Sequence, residues 1–198
     1  MKRRDFAINS VAAASLATLP LASLAQKRKD AVVLGMTLEP TAGLDPTASA
    51  ASAIAEIVQY NVFETLTKVN SDGSVTPLLA ESWEVSPDLK TYTFKLRKGV
   101  KFQNGEPFNA NTVKFSFERA AGEKSTNKDK RTFASMERVG VVDEHTVVVI
   151  NKELNPDFLF LMGQATAILV EPKSADTNAT KPVGTGPYKL ESWNKGAS

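Results

Sequence analysis

The strongest pattern along the chain is a two-residue alternation. Tyr92, Phe94 and Leu96 are interleaved with Thr93, Lys95 and Arg97, as in a strand with one buried face. Lys98-Gly99 turns that strand, Val100 and Phe102 continue its apolar face, and Asn104-Gly105 is a tight-turn pair. The apolar runs 139–142 and 146–150 flank Asp143-Glu144-His145 and predict a β-hairpin, with His145 as an exposed turn residue. Residues 31–38, bounded by Pro40, and residues 167–170 read as buried strands. Residues 63–69 predict a short strand, closed by the turn Asn70-Ser71-Asp72-Gly73. The run 78–85 leads into a second turn at Ser86-Pro87-Asp88.

Apolar spacings of three and four predict helices. Ile54, Ile57, Val58 and Val62 share a face behind Ser52, which serves as N-cap. Val113, Phe117 and Ala121 share another, behind a cap at Asn109 or Asn111, and Gly122 stops that helix. Asn155-Pro156-Asp157 opens a third: Asn as cap, Pro at the first helical position, Asp near the positive end of the dipole, with Gly163 closing it. Between these lie a loop at 41–49, a charged surface loop at 123–131 and a polar linker at 175–181. Strands and helices alternate, so the fold class is α/β.

The first 25 residues stand apart. Lys2, Arg3 and Arg4 precede an Ala/Leu-rich run, and Ser23-Leu24-Ala25 ends it with small residues at the positions a signal peptidase requires. Residues 1–25 are therefore expected to be a signal peptide cut before Gln26, and Arg3-Arg4-Asp5-Phe6 resembles a twin-arginine signal. The apolar run is too short to span a bilayer. Beyond it basic and acidic groups balance, which removes any electrostatic argument for nucleic-acid binding. With no Cys at the first mature position there is no lipid attachment point, so the protein is expected in the periplasm, exported and untethered.

Chemistry is scarce. The chain has no Cys and one His, which excludes thiol nucleophiles, thiolate metal sites and His-pair zinc motifs. Gly184-Thr185-Gly186-Pro187 lacks the Lys of a phosphate-binding loop, and Pro187 blocks the helix a dinucleotide fingerprint requires. Glu81 and Glu84, placed on a helix, would mimic a glycosidase pair, but surface charges around a buried Trp83 are the simpler account. No catalytic residue, metal ligand or cofactor is expected.

Five ordered landmarks carry a resemblance: Leu44-Asp45-Pro46, the stretch from Pro77 to Asp88, Thr91 to Phe102, Asn104 to Phe108, and Pro182 to Tyr188. Together they resemble the family 5 extracellular solute-binding proteins, the dipeptide, oligopeptide and nickel receptors of ABC importers. Leu89 stands where that family usually has Gly in the turn, and Gln103-Asn104 where it more often has His-Asp. The resemblance implies a two-lobed periplasmic binding-protein-like fold with an extra small lobe, here truncated. It divides the chain into a signal peptide (1–25), a first main-lobe segment (26–66), an inserted small αβ lobe (67–175) and a return to the main lobe (176–198). Trp83, Tyr92, Phe94, Phe102 and Phe108 would form the small-lobe core, and Gly184, Gly186 and Pro187 would shape the return. It further implies a monomer that captures a peptide or related small solute and hands it to the membrane subunits of an ABC permease. Met36, Thr37, Glu39 and Asp45 are the ligand-binding candidates, with Glu39 suited to a cationic group. An exported hydrolase, for which only His145 could serve as base, and a chaperone-like periplasmic protein are the competing readings. N-terminal sequencing of exported protein should begin at Gln26. Replacing Arg3-Arg4 by two lysines should block export, and normal export of that variant would rule out the twin-arginine route.

Overall fold

A computed structural model describes residues 34–49 and 51–196. The signal peptide and the residues just after it lie outside the described residues. The chain divides between Gly35 and Met36, and the larger unit begins at Met36.

That unit is built on a four-stranded antiparallel sheet. Its strands are β3 (Ala80–Val85), β4 (Thr91–Leu96), β5 (Met136–Asp143) and β6 (Thr146–Asn151), in the order β3-β4-β6-β5. The alternation in β4 sets its register: Tyr92, Phe94 and Leu96 are buried, with Tyr92 opposite Val149 and Phe94 opposite Val147. A two-residue period allows no other face to turn inward. A smaller hairpin, β1 (Thr67–Val69) with β2 (Val75–Pro77), closes on Gly73 at φ 82°.

Helix α2 (Ala110–Ala121) covers the buried face of the sheet with Ala110, Val113, Phe117 and Ala120. Of the two possible caps, Asn109 is the one used. Its side chain accepts from the Asn111 and Thr112 amides, and the Thr112 hydroxyl accepts from the Asn109 amide, a reciprocal box that closes the helix end. The short helices α3 (Lys130–Ala134) and α4 (Phe158–Leu161) each contribute one buried ring. Phe133 lies 5.5 Å from Phe117, and Phe158 lies 4.5 Å from Tyr92.

A second core gathers Leu44, Val62, Phe63, Ile168, Val170 and helix α1 (Ser52–Val58) through Ile54 and Val58. Residues 168–170 join the two cores. Leu169 points into the first, while Ile168 and Val170 point into the second. The apolar run at 167–170 is thus fully buried, yet it is not a strand. Its amides bond individually, Leu169 N to the Glu64 carbonyl at 2.9 Å and Val170 N to the Ser116 hydroxyl at 3.0 Å.

Other expectations are corrected. Residues 34–38 form no strand, because no other strand of the described residues offers them a ladder, and Leu34, Met36 and Leu38 are exposed. The strand expected at 63–69 is limited to Thr67–Val69. Ser52 is the first helical residue rather than the cap, and Asp157, not Asn155, precedes α4. The linker at 175–181 is packed, with Ala175 and Asn178 buried. In the charged loop, Asn127 is buried and donates to the Thr166 carbonyl at 2.9 Å. Gly122 ends α2 at φ −56°, outside the left-handed region. Glu81 and Glu84 lie on strand β3 and not on a helix. His145 is half-buried: its carbonyl accepts from the Leu96 amide at 2.8 Å, and its Nδ1 has no partner among the described residues.

Trp83 is half-buried and packs on Phe94 at 6.5 Å, whereas Phe94 is wholly enclosed. Phe94→Ala should cost about 3–5 kcal/mol, and Trp83→Ala less. Urea unfolding of both variants checks the order, and a larger loss at Trp83 would mean that the tryptophan is the true centre of the sheet core.

Candidate functional site

The chain returns to the second core through residues 184–188, and this return is built for close approach. A Cβ on Gly184 would collide with the Val62 carbonyl, and one on Gly186 with that of Asn61. Their absence lets the Gly186 amide bond the Val62 carbonyl at 3.0 Å and the Tyr188 amide bond that of Asn61 at 2.9 Å. Gln103 clamps the same segment from the small-lobe side. Its backbone amide donates to the Gly184 carbonyl at 2.9 Å, and its side chain donates to the Tyr188 carbonyl at 2.6 Å. Asn104 reaches the buried Glu171 carboxylate at 3.1 Å. The two residues that depart from the family's common pair are therefore both engaged. Beside them Glu64 is half-buried, and burial raises its carboxyl above its ordinary value, against the lowering effects of the Thr185 hydroxyl and the Arg97 charge. No bond of acceptable geometry forms on the Thr185 hydroxyl oxygen among the described residues.

The four candidate residues fall into two environments. Asp45 is buried at 3% exposure in the 41–49 loop. One carboxylate oxygen accepts from the Thr47 amide at 2.8 Å and hydroxyl at 2.5 Å, and the other from Arg119 of α2 at 3.2 Å. Arg119 also donates to Thr47 Oγ1 at 2.7 Å and to the Ala175 carbonyl at 3.3 Å. Asp45 thus braces the loop against α2. Met36, Thr37 and Glu39 lie together on an exposed segment before that loop. Glu39 Oε1 accepts from the Gly196 amide at 2.8 Å, leaving its second oxygen free of partners among the described residues.

That bond joins the Met36–Glu39 segment to a cavity of about 830 Å³ lined by residues 180–183 and 189–195. Its walls include Pro182, Val183, Leu190 and Trp193, and Leu190 and Trp193 also pack on the second core. Lys195 sits over the Trp193 ring at 4.4 Å. Sequence reasoning singled out neither this cavity nor Arg119; the one available signal was the run of lysines around Trp193. Two further recesses, each of about 450 to 460 Å³, lie between α2 and β5 and beside Thr47 and Arg119. Among the described residues no group of three metal-ligating side chains forms, and no helix is long and apolar enough to cross a membrane.

Solved structures with this fold are periplasmic binding proteins. The agropinic-acid complex of AgaA from A. tumefaciens R10 is 29% identical, with a TM-score of 0.72 over 78% of this chain and 32% of that one. The Helicobacter pylori DppA complex with the peptide STSA is 27% identical, with a TM-score of 0.67 over 77% of this chain and 35% of that one. The profile of bacterial extracellular solute-binding proteins, family 5 Middle, matches residues 74–198, and the chain belongs to that family. Glutathione-binding protein GsiB of Escherichia coli K12 is 31% identical over 191 residues, 94% of this chain but 37% of that protein. The chain thus spans little more than a third of the length of the curated relatives it matches.

Asp45→Ala should destabilise the fold by about 3 kcal/mol, because it strands the Arg119 charge in a largely closed site. Thermal and urea unfolding measure this. An unchanged stability combined with lost solute binding would show that Asp45 contacts solute instead of bracing the loop.

Proposed function

We propose that the chain is the solute-binding component of an ABC importer, acting in the periplasm to capture a peptide or related small solute and deliver it to the membrane permease. The observation that carries this reading is the cavity at 180–183 and 189–195, with the exposed Met36, Thr37 and Glu39 beside its Lys195 end. Concave sites with apolar walls and a few polar groups are where small solutes bind. The relatives supply the solute class: they are named for glutathione, for peptides and for opine-type acids. We read the chain as a binding protein and not an enzyme, because the likeness is to proteins named for what they bind.

In this reading, residues 1–25 direct export and 26–66 and 176–198 belong to a main lobe. Residues 67–175 form the small lobe. The two cores support the division, since one spans Leu66 to Leu169 and the other draws on Leu44 to Phe63 together with Ile168 to Trp193. Met36, Thr37 and Glu39 face the solute, and Asp45 holds the loop that presents them. Closure of two lobes over the solute would strip its water and mark the loaded state for the permease.

Calorimetry with reduced glutathione and with a tripeptide should show saturable one-to-one binding. Glu39→Gln should weaken the binding of solutes with a free ammonium group about three- to fivefold, the scale of an exposed charge pair. Absence of saturable binding by any peptide or thiol-peptide would sink the reading.

A further inference from the structure

We propose that the cavity at 180–183 and 189–195 selects solutes of net negative charge, with two or more carboxylates beside a single ammonium group. This rests on the solute-receptor reading and goes beyond it by fixing the charge class. Lys181, Lys189 and Lys195 line the cavity against a single acid, Glu191. None of the three lysines has a carboxylate within 4.0 Å among the described residues. Their charge is therefore available to a ligand.

The contrast with the other two recesses is what makes this informative. The recess between α2 and β5 carries Lys114 and Arg138 against Glu118 and Glu137, and Lys114 is already paired with Glu118. The recess beside Thr47 carries Arg119 and Lys124 against Glu123 and Asp176, and Arg119 is spent on Asp45. Both are balanced, whereas the third has an excess of two positive charges over apolar walls. Trp193 gives the body of a solute an aromatic surface. Lys195, held over that ring, stands where a carboxylate on the solute would meet it. Glu39 accepts from the Gly196 amide next to Lys195 and puts one carboxylate at that end. A solute would lie with its ammonium group toward Glu39 and its carboxylates toward the lysines.

The experiment compares alanyl-aspartate, which has two carboxylates and one ammonium group, with its dimethyl ester, which keeps the ammonium group alone. Binding to the whole chain is followed by calorimetry and by Trp193 fluorescence in a Trp83→Phe background. The dipeptide should bind about tenfold more tightly than the diester. That preference should shrink as salt rises from about 0.05 to about 0.5 M, since exposed charges are screened over that range. It should also vanish in the triple variant Lys181→Gln, Lys189→Gln, Lys195→Gln, whose circular dichroism shows whether the fold is kept. If the fold of that variant is lost, Lys189→Gln alone should reduce the preference. Equal binding of acid and ester, or a preference untouched by salt and by the lysine substitutions, overturns the charge selection while leaving the receptor reading intact. No saturable binding of the dipeptide, of its ester or of glutathione overturns the receptor reading itself.

Discussion

Everything in the described unit that joins distant parts of the chain depends on how closely two backbones approach. Residues 184–188 lie against Asn61 and Val62 at a distance that only glycine permits at positions 184 and 186. Any side chain there would force the two segments apart and break the bonds made by Gly186 and Tyr188. Gln103 then ties the same segment to the sheet through backbone and side chain together. The return segment is thereby held between the two cores, and the cavity beyond it takes its shape from that anchorage.

Polar groups carry much of the long-range specification. Arg119 links α2 to the 41–49 loop and to Ala175 through one guanidinium. Tyr60 adopts a φ of 61° and so places its hydroxyl on the Gly163 carbonyl at 2.6 Å, where it also accepts from the Val69 amide at 3.0 Å. A left-handed conformation in a bulky residue costs about 1–2 kcal/mol, and these bonds offset it. Leu89, at φ 57° in the turn before β4, carries a similar penalty. Its carbonyl accepts from the Asn155 amide at 3.1 Å, which docks the approach to α4 against the sheet.

The contrast between the cavity and the braced loop bears on function. Asp45 resembles a ligand residue because a loop carboxylate near a strand end is available in principle. In the folded chain both its oxygens are used. Glu39 retains a free oxygen among the described residues, and the lysines around Trp193 retain their charge. Recognition capacity therefore sits with exposed, unpaired charges beside an apolar wall, while the buried charges serve architecture.

The sequence by itself determined the elements whose pattern is local. The alternation in Tyr92, Phe94 and Leu96, the hairpin around Asp143 and His145, and the capped helix behind Asn109 all rest on periods of two or near four and on neighbouring side chains. The family was legible for the same reason, since its landmarks are short ordered runs. Tertiary structure alone decided the rest. An apolar run at 167–170 has the composition of a strand, but a strand needs a neighbour, and here successive side chains are claimed by different cores. Residues 34–38 lack such a neighbour among the described residues and stay exposed. Which carboxylate is consumed by a guanidinium 74 residues away, and which lysines surround one tryptophan without a partner, depend on how separated segments meet. Local periodicity carries no information about that, because burial and charge pairing are properties of the assembled surfaces.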